Sequence, residues 1–457
     1  MPSRQSILAN AFHPGTELDD PELFAGRRAQ VLELTKALHS DGSCPIVYGD
    51  RGLGKSSLAL QVQRIAMGDP SLLELQDADP DYQDDDPRLG LHAEDDYSPP
   101  WAFKEDDSYL AFYIACSDST SDTNAILQRL INSLTSVGPY TSSSASQLVD
   151  RTTRKRITVK LFELESTRNY RVPEPSSDYA ELTIEEKLQA AAQRLVAAYG
   201  HRIILIVDEL DRVRDTSGLA SFIKIASSHD LKFLLVGIAQ NVSNMLSDHQ
   251  SIERMAVPVE VPRMNKHELG QIVERAMRKL RDQGITFKFE SDAKAELAKV
   301  ASGFPWFVHL LGQKALLKAE EEGKDTVTRF HVAIAIRSLI DNRLAQQFSD
   351  LYQAAVRDSQ MRETVMRALA HWIGRDIPTA EVYPVIRRLG VSHPSTYISH
   401  LCSETYGRIL LRPPFQERGI VRFANEMFKV YVRIRPSLYA GLDNLVKQAH
   451  AMEHGNR

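Results

Sequence analysis

The chain has 457 residues, 43% of them hydrophobic, and a net charge of −5, enough apolar content and length for the cores of two or three domains. Its three cysteines, Cys44, Cys116 and Cys402, lie far apart and in no metal-ligand spacing, which excludes a disulfide framework or a zinc site and fits a reducing compartment. The N-terminus MPSRQSILANAFHPG lacks the apolar core of a signal peptide, and the longest apolar runs, 203–207 and 233–236, are too short to span a membrane, so a cytoplasmic protein with no membrane partner is expected.

Charge is unevenly spread. Residues 69–107 carry fourteen Asp/Glu, among them Asp84, Asp85 and Asp86, against Arg88 and Lys104, a net −12 that leaves +7 for the remainder. Broken by Pro70, Pro80, Pro87, Pro99 and Pro100, the stretch reads as a solvated loop inserted in the fold, with a partner-binding or DNA-mimicking arm as the alternative.

In chain order, the apolar run 45–48 enters a Gly-rich turn, and 57–67 then places Leu58, Val62 and Ile65 at helical spacing: strand, loop, helix. Beyond the acidic stretch, 109–116 reads as a second buried strand, followed by a helix through Ile126, Leu130, Ile131 and Leu134. Residues 139–179, rich in Ser, Thr and Arg, read as a long loop with one short strand at 157–162. Thr183 and Glu186 form a capping box for a helix carrying Ile184, Leu188, Ala191 and Leu195. The strand 201–207, helix 219–228 and strand 232–238 complete an open, mostly parallel sheet covered by helices.

Beyond Pro262 the strand signals stop, and helices at 265–284, 291–301, 305–321 and 328–342 predict a helical lid. Helices at 361–372, 379–389 and 395–402, then short β segments at 408–411 and 420–423, predict a winged helix. The expected class is α/β: an N-terminal segment 1–22, an αβα core 23–262 containing the acidic insertion 69–107 and the basic loop 139–179, a lid 263–345, a winged helix 346–445 and a tail 446–457.

The chemistry concentrates in two motifs. Gly49-Asp50-Arg51-Gly52-Leu53-Gly54-Lys55-Ser56 matches G-x-x-x-x-G-K-[ST] where a strand meets a helix. In that pattern the glycines let backbone N–H groups curl around phosphates, aided by the helix N-terminus that Ser57 continues. Lys55 reaches the β- and γ-phosphates and Ser56 ligates Mg²⁺. The companion is the apolar strand ending in Asp208-Glu209, where Asp208 would hold the metal's hydration shell and Glu209 would orient and deprotonate water. ATP or ADP with Mg²⁺ is the expected ligand.

Around these motifs the chain resembles the origin-recognition branch of AAA+ ATPases, through VDELDRV at Asp208 to Asp211, the strand LLVGIAQN and the C-terminal winged helix. Phe24-Ala25-Gly26-Arg27 and Gly303-Phe304-Pro305 resemble STAND ATPases and related bacterial ATP-binding proteins equally well. The resemblance covers roughly residues 20–435 outside the insertions. It implies that Phe24, Gly26, Arg27 and Pro305 flank the adenine, that Gln240 or Asn241 senses the γ-phosphate, and that Arg254 is an arginine finger acting on a neighbouring subunit. The chain departs from the initiator pattern in having Gln240 where Asn is usual, and Pro305-Trp306-Phe307 where the lid carries an arginine. That departure favours slow hydrolysis and a switch.

Two basic stretches are candidates for nucleic acid: Arg151, Arg154, Lys155, Arg156 and Lys160, and residues 408–435, whose seven Lys/Arg face only Glu417 and Glu426. The turn between Arg412 and Arg418 could lie along a phosphate backbone, whereas Phe415, Phe423 and Phe428 read as core. His309, on the apolar lid helix, reads as a packed histidine. Two functions follow: an ATP-dependent switch that assembles into a homo-oligomer under a trigger and acts through a separate effector protein, with phage defence as one setting, or an initiator, loader or transposition-type ATPase binding double-stranded DNA.

Overall fold

The computed structural model describes residues 3–77, 99, 101–136, 181–238, 254–338, 343–372, 374–412 and 419–454. They divide into two compact units, Gly15–Pro262 and Met1–Pro14 with Arg263–Arg457. The basic cluster 151–160, the expected strand 157–162, Gln240, Asn241, Arg418 and the centre of the acidic stretch lie outside the described residues.

The chain begins with a short helix α1 (Arg4–Ala9) of the second unit and then enters the first. There α2 (Arg28–His39), β1 (Cys44–Tyr48), α3 (Lys55–Ala66) and α4 (Ser71–Asp77) are followed by β2 (Tyr109–Ala115) and α5 (Thr123–Thr135). The unit closes with α6 (Ile184–Tyr199), β3 (Arg202–Asp208), α7 (Leu219–Ala226), β4 (Leu231–Gly237) and β5 (Ala256–Glu260). The five strands are all parallel, in the order β2-β3-β4-β1-β5. Such a sheet is covered on both faces, which is why β3 and β4 read as unbroken apolar runs instead of alternating. β4 lies between β1 and β3, so the Gly-rich loop and the Asp-Glu pair leave the same end of the sheet two strands apart.

The capping box at Thr183 and Glu186 forms as expected, and α6 stops at Gly200 in the left-handed conformation. Among the elements that went unread are α2, which buries Val31, Leu34 and Leu38, and β5, whose Pro258 hides the strand pattern. An edge strand tolerates that proline because one side of it carries no ladder partner. The acidic stretch is not a loop throughout. Its first part forms α4, which buries Leu72, Leu73 and Gln76, and Phe103 near its other end is buried in stacking contact with His39. Apolar side chains anchor both margins, and the charge density lies between them.

In the second unit, α8 (Lys266–Asp282), α9 (Ser291–Ala301), α10 (Pro305–Glu321) and α11 (Arg329–Ser338) are accompanied by a two-residue parallel pair, β6 (Lys288–Phe289) with β7 (Thr326–Val327), so the strand signals beyond Pro262 do not wholly stop. Then come α12 (Arg343–Val356), α13 (Gln360–Ala370), β8 (Ile377–Pro378), α14 (Thr379–Arg388) and α15 (Pro394–Leu401). The last elements are β9 (Leu410–Leu411), β10 (Ile420–Phe423), α16 (Glu426–Ile434) and α17 (Leu442–His454). β10 pairs antiparallel with both β8 and β9.

The segment 1–22 is not a separate piece. Phe12 packs on Gly312, where an added Cβ would come within 2.7 Å of the ring, and Gln313 Nε2 donates to the Ala9 carbonyl at 2.6 Å. Nor is 446–454 a detached tail, because α17 buries Val446 and brings His450 to the Ala368 carbonyl at 2.8 Å. Among the described residues no helix is long and apolar enough to cross a membrane.

Candidate functional site

The Gly-rich loop is shaped by what surrounds it. β1 ends at Tyr48, whose carbonyl accepts from the Val261 N–H at 2.8 Å, and this brings the chain after β5 against the start of the loop. A Cβ on Gly49 would then stand 2.8 Å from the Val261 carbonyl oxygen, so no larger residue fits there unchanged. Gly52 and Gly54 adopt φ of 77° and 86°, a region that side chains disfavour. Gly54 is the N-cap of α3 and has no side chain to offer, so no capping side chain accepts from the first-turn N–H groups of that helix. They form a ready anion site.

Lys55 opens α3, and its Nζ donates to the Asp50 carbonyl at 3.0 Å across the loop. Burial pushes its pKa down, against the opposing pull of Asp211, Asp208 and Asp50. The ammonium is thus a partly desolvated cation that an anion would stabilise. Arg51 reaches from the loop to Asp211 at 2.9 Å and remains largely exposed.

Asp208 is the last residue of β3 and is buried. Its Oδ1 accepts from the Glu209 N–H at 2.6 Å and its Oδ2 from the Tyr113 hydroxyl. Glu209 follows at φ 54°, ψ 38°, a left-handed conformation uncommon for a side-chain-bearing residue. Strain of this kind is held in place by its surroundings and clusters at functional sites. The turn directs the carboxylate to Arg212, 2.7 Å away, and leaves it partly exposed. Burial raises the Glu209 pKa, with Asp208 adding to the effect and Arg212 opposing it. A carboxylate with raised basicity beside a buried one suits division of labour between base and metal-holder.

The structure brings Asp50, Lys55, Asp208 and Asp211 within electrostatic reach of one another, with Glu209 beside Asp208. The other expected residues each have their own setting. Ser57 Oγ accepts from the Leu18 N–H at 3.0 Å, fixing the segment before α2 to the loop helix. Phe24 and Arg27 are buried. The Arg27 guanidinium donates to the carbonyls of Leu53 and Pro262, the former at 3.1 Å, which makes it a brace beneath the loop. The Gly26 carbonyl accepts from Gln76 at 2.9 Å. Arg254 is exposed in the turn before β5. Pro305 belongs to the second unit, where it opens α10.

Sequence reasoning missed Tyr113. Its hydroxyl donates to Asp208 Oδ2, and burial followed by the charge of Asp208 raises its pKa well above the usual value. A tyrosine inside an apolar strand reads as core, so no local signal singles it out.

The donor set fits a magnesium nucleotide. Uncapped N–H groups and a desolvated lysine suit phosphates, and a hydroxyl with a buried carboxylate suits a hard cation that keeps most of its waters. Among the described residues no cluster of His, Cys, Asp and Glu could by itself hold a metal.

Residues 38–246 match the family described as AAA domain. No curated protein matches the chain. Among solved structures, a Walker-type ATPase of Pyrococcus abyssi is 14% identical at TM-score 0.48, with 93% of this chain and 99% of that one covered. The ORC1 protein of Aeropyrum pernix in complex with DNA is 16% identical at TM-score 0.41, with 98% of both chains covered. The RuvB Holliday junction branch migration motor of Thermotoga maritima is 14% identical at TM-score 0.40, covering 92% of this chain and 96% of that one.

Proposed function

We propose, from the premise that this chain carries an AAA domain of the P-loop ATPase class, that it binds ATP with Mg²⁺ at Gly49 to Ser56 and hydrolyses it slowly as a molecular switch. The observation that carries this reading is the pairing, at one end of one sheet, of an uncapped helix N-terminus bearing Lys55 with the buried Asp208 and the strained Glu209. The loop N–H groups and Lys55 bind phosphate, Ser56 and Asp208 hold the cation, and Glu209 takes a proton from water at its carboxylate. The bound cation supplies charge neutralisation along the phosphates.

Slow turnover is supported by the resemblance, because this chain has Pro305-Trp306-Phe307 where the initiator lid carries an arginine. Arg254, exposed on the same unit as the loop, is the cation we assign to a neighbouring copy in an ATP-dependent homo-oligomer. A trigger protein and a separate effector complete such a switch, and defence against phage is one setting for it.

The test is Glu209→Gln. The variant should bind ATP with wild-type affinity and release no phosphate above background, because Glu209 acts on water and not on the bound nucleotide. Normal phosphate release by this variant defeats the assignment.

A second reading, a DNA-associated ATPase, is favoured by the C-terminal part. We read α13, α14 and α15 with β8, β9 and β10 as a winged helix. Arg408 and Arg412 line an open pocket of about 300 Å³ against Ser399 and Ser403, with Arg412 donating to Ser399 Oγ at 2.9 Å. Arg412→Ala should weaken duplex DNA binding similarly across sequences and reduce the salt slope by about one unit. Absence of any DNA binding by the wild-type protein at low salt, with and without ATP, removes this reading.

A further inference from the structure

Tyr113 stands near the C-terminal end of the edge strand β2, opposite Ile206 of β3, while Ala115 stands opposite Asp208. Strand side chains alternate between faces, so Tyr113 and Asp208 share one face of the sheet. The tyrosine ring is almost entirely buried, and its hydroxyl donates to Asp208 Oδ2. Asp208 is the carboxylate that the reading above gives to the cation.

Hydrogen counting fixes the direction of the bond. A carboxylate only accepts, so the single Tyr113 proton goes to Asp208 and holds that carboxylate from one side. The Glu209 N–H holds the other carboxylate oxygen at 2.6 Å, so the rotamer of Asp208 is determined from both ends.

We propose that Tyr113 is a positioning residue for the metal half of the nucleotide site, acting through Asp208 and touching neither cation nor nucleotide. This rests on the Mg²⁺-nucleotide reading above. Groups that orient metal ligands through hydrogen bonds change metal affinity by roughly 10–100-fold when removed. The bland alternative is that Tyr113 merely fills space under the loop helix, in which case its hydroxyl is dispensable for the cation.

The experiment titrates Mg²⁺ into protein and a fluorescent ATP analogue, starting in EDTA, for wild type and Tyr113→Phe. The phenylalanine keeps the ring and removes only the hydroxyl. We expect equal affinity in EDTA and a Mg²⁺ midpoint raised about tenfold in the variant. In an Asp208→Asn background the same substitution should move the midpoint far less, since the group it acts through is gone. A midpoint within twofold of wild type, whatever the change in melting temperature, overturns the proposal. If wild type itself shows no Mg²⁺-dependent tightening, the nucleotide reading fails and not the role of Tyr113 alone. Should Tyr113→Phe not fold, Tyr113→His, whose shorter side chain cannot place a donor at the same point, takes its place. A raised midpoint then supports the positioning role and an unchanged one overturns it.

Discussion

Both units bury charge, and they treat it differently. In the second unit Arg367 is wholly enclosed, and its guanidinium donates to Glu363 at 2.9 Å, to the Tyr352 hydroxyl at 3.1 Å, to the carbonyls of Val432 and Arg435 at 3.2 and 2.8 Å, and to Asp443. The donors close on partners supplied by α12, α13, α16 and α17. In the first unit Lys55 makes one loop contact, at Asp50, and the N–H groups around it have no capping side chain. A closed network serves the fold and an open one awaits a ligand, which is why the same kind of residue supports opposite expectations in the two places.

The largest effect should come from breaking the closed network. Arg367→Ala leaves Glu363 and Asp443 without their guanidinium and empties a fully buried volume, so the second unit should lose about 3–5 kcal/mol, read from the shift in its urea unfolding midpoint. A loss below about 1 kcal/mol, the range of exposed pairs, would mean that the network is not closed.

Lys55→Ala gives the opposite signature. Removing the cation should weaken ATP binding by about 100-fold or more, roughly 2.7 kcal/mol, measured by calorimetric titration. Unfolding of the nucleotide-free protein should change by less than about 1 kcal/mol, because burial already disfavours the charged lysine when no anion is present. A large destabilisation of the free protein by Lys55→Ala would erase the distinction between the units.

The second unit should also respond to acid. His309 accepts from the His13 N–H at 3.2 Å, and burial pushes both His309 and His371 down to about 3. The unfolded histidines titrate near pH ~6.5, so below that pH the unfolded chain binds protons that the native one refuses. The associated stability is intact above that value and declines as pH falls toward 3, with a slope of up to about 1.4 kcal/mol per pH unit for each histidine. His309→Gln, whose amide oxygen can still accept, should lower that slope by one histidine's share in unfolding curves recorded from pH 7 to 5. An unaltered slope would show that His309 is protonated in the fold.

Much of the first unit was legible because its signals are local: apolar runs for buried parallel strands, one capping box, and a loop motif whose glycines are needed for backbone reasons. What escaped was non-local. β5 is a strand only because β1 needs a partner on that side, and its proline is harmless at an edge. The first fourteen residues acquire a place through Phe12 on Gly312, some 300 positions away. Tyr113 joins the site through a face shared with Asp208, a relation that appears only once β2 and β3 are in register. Arg27 was read from its motif as flanking the adenine, and nothing in that motif foretells that its guanidinium donates to the carbonyls of Leu53 and Pro262.

The smallest effect tests the margin of the open site. Arg51 belongs to the loop motif, yet its side chain is 65% exposed and pairs with Asp211, whose side chain is only 10% exposed. An ion pair with one partner in water is worth under about 1 kcal/mol, since solvent screens it and the arginine gives up rotamer freedom to hold it. Asp211 also heads the charges that favour the protonated form of Lys55, so its role divides between the exposed arginine and the buried lysine. Arg51→Ala should therefore change nucleotide-free stability by less than about 0.5 kcal/mol and leave ATP affinity within about threefold. A double-mutant cycle with Asp211→Asn should give a coupling below about 1 kcal/mol in low salt that fades as salt is raised. A larger, salt-insensitive coupling would show that Arg51 and Asp211 already form a closed pair, and the contrast with Arg367 would then be one of degree.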